Sequence, residues 1–124
     1  MKFMPSKPNN APRWLTDIRH NIYLARRFID GLTFEMFRDN DMAFYAVTRC
    51  LEIISEASRR LPADVKARHP QIPWIEMAAA GNVYRHDYED VRRQLVWGTV
   101  QTRFPMLLEA IEQDSTRRCP DQHI

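Results

Sequence analysis

Ala46-Val47-Thr48-Arg49-Cys50-Leu51-Glu52-Ile53-Ile54-Ser55-Glu56-Ala57-Ser58-Arg59-Arg60-Leu61-Pro62 spells out a helix together with its stop signal. Val47, Cys50, Ile54, Ala57 and Leu61 recur at steps of three and four residues, which lays one apolar stripe along a helical face. Upstream, Ala43 extends the stripe, and Asp39 or Asp41 is placed to cap its start by accepting from the free N–H groups of the first turn. Pro62 ends the helix, because its ring crowds a helical conformation at the residue before it.

The same periodicity appears on both sides. From Arg13 to Leu32 the apolar positions Leu15, Ile18, Ile22, Ala25, Ile29 and Leu32 predict one helix, and Thr33–Asp39 reads as a connector that can hold a short turn. Ala63–His69 is a short, weak helix closed by Pro70. Pro73 suits the first turn of the next helix, where its missing N–H costs nothing. That helix buries Trp74, Ile75, Ala78, Ala79 and Val83, and its pattern is read through Tyr88. The last helix spans about Arg92 to Gln113 through Val96, Val100, Phe104, Leu107 and Ile111, with Pro105 expected to kink it. No segment alternates with the period of a strand. The expected fold is all-α, an antiparallel bundle of four main helices plus one short helix. Residues 1–12, with three prolines, form a disordered arm, residues 13–113 the domain, and residues 114–124 a flexible tail.

Composition narrows the function. At 124 residues the chain holds one domain. No run approaches the ~20 apolar residues of a membrane span. The start, MKFMPSKPNNAPRW, lacks the apolar region of a secretory signal, so a cytoplasmic location is expected. Cys50 falls on the apolar stripe and reads as a core residue, while Cys119 sits in the polar tail. The four histidines, at positions 20, 69, 86 and 123, are scattered without metal-ligand spacing, and neither a metal nor another cofactor is expected. A net charge of +2 is too small to argue for nucleic acid by itself. The basic residues are nonetheless 15 Arg against 3 Lys. Arginine suits bidentate phosphate recognition, though arginine-rich codon usage explains the bias equally well. Trp14, Trp74, Trp97 and six Phe are much for a small bundle to bury, so a homodimer is expected.

Gly81-Asn82-Val83-Tyr84-Arg85-His86-Asp87-Tyr88 is the chemically dense stretch, and it follows the apolar run 72–80. Polar groups crowded beside core sequence are costly unless they serve a purpose. On a continuous helix Asn82 and His86 lie about 40° apart on one face, and Gly81 and Arg85 form a similar pair on the neighbouring face. His86 is the candidate for proton transfer near neutral pH, and Arg85 for neutralising a phosphate as charge builds up. Histidine with arginine and no metal suffices to cleave RNA, because the ribose 2′-hydroxyl supplies the nucleophile. A histidine bonded to backbone is the structural alternative. Tyr84 reads as core filling, with base stacking as the other possibility. Asp87 and Glu89 are placed to compete with RNA for Arg85.

Three stretches in this order and spacing resemble the HepT-like branch of the HEPN superfamily: AVTRCLEIISEASRRLP (46–62), Ile72-Pro73-Trp74, and GNVYRHDY followed by LVWGTVQTRFPMLLEAI (95–111). The family motif is Arg-Asn-x3-His-x-Tyr. Asn82, His86 and Tyr88 match it, and Gly81 stands at the arginine position. Arg85, one turn later on nearly the same face, can reach back into the space that Gly81 leaves open. The resemblance implies a HEPN-like fold and a metal-independent endoribonuclease toxin of a HepT/MntA-type toxin–antitoxin pair. It implies a homodimer with the two motifs facing one cleft. It also implies a minimal nucleotidyltransferase antitoxin, MntA-like, that adds AMP to the motif tyrosine, here Tyr88. His86 and Arg85 are then the catalytic candidates, and Asn82 and Arg49 the substrate-binding ones. Arg49 shares the second-helix stretch with Glu56, and a solvated surface role is its plainer reading. The alternative is a catalytically inactive HEPN-type dimer that binds a minimal nucleotidyltransferase or a nucleic acid.

Overall fold

The computed structural model describes residues 11–118, with side chains described through Asp114. The greater part of the expected N-terminal arm, residues 1–10, and positions 119–124 of the expected tail lie outside the described residues. Ala11 and Pro12 already belong to α1 (Ala11–Phe28), and Ala11 is buried.

The buried face of α1 is the one the periodicity predicts: Leu15, Ile18, Ile22 and Ala25. Gly31, with φ +78°, turns the chain after it, a conformation that costs glycine little. The short turn expected in the connector is α2 (Phe34–Arg38), capped by the Thr33 hydroxyl, which accepts from Met36 N at 3.1 Å. α3 (Asp41–Arg60) buries Ala43, Val47, Cys50, Ile54 and Ala57 as expected. Its cap is neither Asp39 nor Asp41. Asn40 takes the extended backbone and its Oδ1 accepts from Ala43 N at 3.0 Å. Asp39 terminates α2 and Asp41 is already inside α3, so only Asn40 has the geometry. Burial pushes the Cys50 thiol up to about 11, consistent with a packing role.

α4 (Ala63–Ala67) is the short helix before Pro70. The segment 74–88 is not one helix. α5 (Trp74–Ala79) stops after six residues, and a single 3₁₀ turn (Val83–Arg85) precedes α6 (Glu89–Arg118). α6 overruns its expected limits at both ends and continues through Pro105, which is exposed. No strand occurs among the described residues, and none of their helices is long and apolar enough to cross a membrane.

α1 runs antiparallel to both long partners. Near its start, the Arg60 guanidinium lies 5.8 Å from the Trp14 ring, and Arg19 Nε meets Glu112 Oε1 at 3.0 Å. Phe37, Phe44, Phe104, Ile18, Ile22, Leu51, Ile54, Leu107 and Ile111 fill the space between the helices. Each such side chain contributes about 1.5–3 kcal/mol of hydrophobic stabilisation. Phe37 packs against Trp97 (5.3 Å between ring centres) and Phe44 (6.2 Å). The three tryptophans are partly buried, and Trp74 Nε1 donates to the carbonyls of Lys66 and His69. Exposed apolar surface comes instead from residues such as Ile75 and Met42.

Two arginine clusters lock the ends of α6. At its start, buried Arg93 donates to Asp41 Oδ1 (2.9 Å), Glu89 Oε1 (2.7 Å) and the Arg38 carbonyl (2.8 Å), with its guanidinium 4.4 Å from the Phe44 ring centre. Near its end, Asp114 is fully buried. It accepts from Arg68 at 3.0 and 3.1 Å, and His69 Nε2 lies 2.8 Å away. Burial opposes ionisation of Asp114, but hydrogen bonds from Arg68 and His69 outweigh it and hold the carboxyl below its ordinary value. A depressed carboxylate stabilises the fold above its unfolded-state value, and that contribution is lost as the pH falls through the folded-state value. Urea unfolding is therefore expected to show stability declining below about pH 4. Asp114→Ala is expected to cost about 3 kcal/mol at pH 7 and to flatten that decline. An unchanged acid limb in the variant would remove Asp114 as its source.

Candidate active site

After the helix breaks at Ala79, residue 81 comes up against α3. A Cβ on residue 81 would stand 2.9 Å from Ser55 Oγ, 3.0 Å from Ser55 Cβ and 3.0 Å from Glu52 Cα. Glycine is thus required here for space, since its backbone conformation is not left-handed. With residue 81 pressed against α3, Asn82 N–H bonds to Ala79 O, and the 3₁₀ turn follows. His86 then leaves the turn in an extended conformation (φ −91°, ψ 136°).

This geometry replaces the one a continuous helix would give. Adjacent residues on an α-helix point about 100° apart. Here the adjacent Arg85 and His86 converge, with Arg85 Nε 3.4 Å from His86 Nε2. Together with Asn82 they line a pocket of about 180 Å³ whose walls include Leu51, Val83, Leu95, Val96 and Thr99. The ring of His86 is half-buried, and Asn82 and Arg85 are exposed.

The backbone of His86 is pinned from α6. Arg92 Nε donates to the His86 carbonyl at 2.6 Å, its guanidinium also meets Glu89 Oε2 at 3.0 Å, and it lies 5.2 Å from the Tyr84 ring centre. Tyr84 is therefore not core filling; it is 46 % exposed. Burial of its hydroxyl, with Tyr45 and Glu52 nearby, raises its proton affinity. Nor do the acidic neighbours neutralise Arg85. Glu89 is held by Arg93 and Arg92, whose hydrogen bonds keep its carboxyl below the usual range, and Asp87 is exposed. Among the described residues Arg85 has no carboxylate partner.

The remaining sequence candidates separate. Tyr88 follows His86 by two residues and is 75 % exposed, its carbonyl accepting from Arg92 N. Arg49 is not brought to the pocket. It lies on α3 in a depression shared with Trp14, Asp17 and Glu56, and pairs with Glu52 at 3.3 Å. Arg92 escaped the sequence reading: its one signal, the 92–93 arginine pair, gives no hint that it reaches back six residues to a carbonyl.

The pattern of the ribonuclease HepT-like family matches residues 18–113. The chain belongs to this family. Among curated HepT-like relatives, “Probable ribonuclease HepT” of Thermococcus cleftensis is 39% identical over 100 residues, covering 81% of this chain and 91% of its own length. A “Putative RNase” of Methanocaldococcus jannaschii is 34% identical over 110 residues, 89% of each chain. Another “Putative RNase”, from Caldanaerobacter subterraneus, is 31% identical over 85 residues, 68% of this chain and 76% of its own. No solved structure matches. The all-α HEPN-like fold expected from the HepT-like resemblance is the fold described above.

Gly81→Ala is expected to destabilise the protein by about 1–3 kcal/mol, measured by urea unfolding. Adding Ser55→Gly should recover only part of the loss, because the Glu52 backbone still blocks the methyl. A neutral Gly81→Ala would mean that the turn is free to move off α3.

Proposed function

We propose that this HepT-like chain is a metal-independent endoribonuclease. The observation that carries the reading is a guanidinium that has no carboxylate partner among the described residues, 3.4 Å from an imidazole, both lining one pocket. A phosphate is the ligand such a pair suits, and the ribose 2′-hydroxyl beside it supplies the nucleophile.

The chemistry follows from the contact. Donation from Arg85 Nε requires a free lone pair on His86 Nε2, and the same lone pair takes the proton of the 2′-hydroxyl. The 2′-oxygen bonds to the adjacent phosphorus, the 5′-oxygen leaves, and the imidazolium returns a proton to it. The products are a 2′,3′-cyclic phosphate and a free 5′-hydroxyl. Arg85 gives up that lone pair before Nε2 takes the proton, and the released guanidinium turns to the phosphorane oxygens as their charge grows. Asn82, on the pocket wall, adds a neutral donor. Arg49, away from the pocket, has no part at the scissile phosphate.

The reading extends to partners. A homodimer would set two such sites across one cleft, and the exposed apolar side chain of Leu95 beside the site suits that contact. The chain would serve as the toxin of a toxin–antitoxin pair with a minimal nucleotidyltransferase of MntA type. AMP added to the exposed Tyr88 hydroxyl would bring bulk and negative charge close to the site and exclude RNA. The same exposure suits the second reading, an inactive dimer that only binds such a partner.

Cleavage of an RNA oligonucleotide by the purified protein tests the reading. His86→Ala is expected to lower kcat about 10²–10⁴-fold, and Arg85→Ala about 10²–10³-fold. A 2′-deoxy substitution at the cut position should abolish cleavage, and chelator should leave it unchanged. Gly81→Arg should not rescue Arg85→Ala, because the space beside residue 81 is filled by α3. Wild-type rates in Arg85→Ala would sink the proposed chemistry, and no cleavage by the wild-type chain would leave the binding reading.

A further inference from the structure

A second depression, of about 330 Å³, opens directly beside the first. Ala79, Ala80, Arg85 and Thr99 line both, so the two form one groove that passes Arg85 and continues between α5 and α6. Its far wall carries Arg103, one turn after Thr99 on the same face of α6.

Arg103 differs from the arginines that lock α6. Its partner is Glu76, at 3.2 Å, and the two side chains are 42% and 65% exposed. A solvent-exposed pair of this kind is weakly held and readily exchanged for a stronger anion. By contrast, Arg93 is buried among two carboxylates and a carbonyl and cannot turn to a ligand. Ile75, on the same wall as Arg103, is 88% exposed and gives the groove an apolar lip. The groove thus offers a cation without a fixed commitment, an apolar surface, and continuity with Arg85.

We propose that Arg103 holds a second phosphate of a single-stranded RNA substrate, farther along the groove from the phosphate at Arg85 and His86. The strand lies unpaired along the α5–α6 groove, with a base or ribose against Ile75. Glu76 is a built-in competitor: it occupies Arg103 until a phosphate displaces it and so discriminates against short or weakly charged ligands. This role rests on the ribonuclease reading of the site. Arg103 lies beyond the reacting atoms and contributes binding, not chemistry.

The test is steady-state cleavage of a short unpaired RNA by the full chain across a range of salt, with binding followed on the same oligonucleotide carrying a 2′-deoxy sugar at the cut. Arg103→Ala is expected to raise KM about tenfold and to leave kcat within about twofold. The slope of log affinity against log salt should fall by about 0.7, the loss of one phosphate contact on a single strand. Arg103→Lys, which keeps the charge, should recover most of the affinity, and Glu76→Gln should lower KM about two- to fivefold. A wild-type salt slope and KM in Arg103→Ala, with cleavage intact, would overturn the subsite while leaving the ribonuclease reading in place. A fall in dimer mass without a change in KM per dimer would overturn it too, and assign the groove to a second copy of the chain. If the wild-type chain neither binds nor cuts RNA, both proposals fall together.

Discussion

Residue 81 sits so close to α3 that even a methyl group would collide with the Glu52 backbone and the Ser55 side chain. That approach sets the rest of the site. Around it α5 ends after six residues, a 3₁₀ turn follows, and His86 leaves in an extended conformation. Two side chains adjacent in sequence, which a helix would splay apart, then meet at 3.4 Å over one pocket. Glycine at position 81 permits the close approach to α3 that precedes the turn carrying Arg85 and His86.

Charge placement follows a division of labour. Most of the arginines with a described ion pair tie elements together: Arg93 joins the first turn of α6 to the α2–α3 corner, and Arg68 grips buried Asp114 near its far end. Arg92 fixes the carbonyl of His86 while Glu89 balances its charge. These contacts hold α6 in register with the turn, so that its Leu95, Val96 and Thr99 form a pocket wall. Arg85 is left out of that scheme, and a cation near a half-buried imidazole with no counter-ion among the described residues is poised for an anionic ligand.

Helices with a long apolar stripe were legible in the sequence. The periodicity of Leu15 to Ala25 and of Val47 to Ala57 predicts the buried faces of α1 and α3, because burial of a stripe is what stabilises a helix of this length. Caps were harder. Asn40 displaced both neighbouring aspartates because backbone geometry, not side-chain type, decides between adjacent candidates. The stretch 74–88 reads as continuous from its apolar run, but it is helical only through Ala79, and there Met77 is buried while Ile75 and Ala79 are exposed; Gly81 is the one local sign of the break, and its contact with α3 is tertiary. For the same reason the proximity of His86 and Arg85 was anticipated, but from the wrong geometry. The contacts of Arg92 with His86 and of Asp114 with Arg68 and His69 span elements, so spacing along the chain does not reveal them.

The central claim is that one phosphate is held between the Arg85 guanidinium and the His86 ring at the mouth of this pocket. A crystal structure with a short RNA made inert by a 2′-deoxy sugar at the cut position measures this directly. The expected result is a phosphate oxygen within hydrogen-bond distance of Arg85, with the substituted 2′ position facing His86 Nε2. A strand bound elsewhere on the surface, or a phosphate in the pocket with Arg85 turned away from it, would contradict the claim.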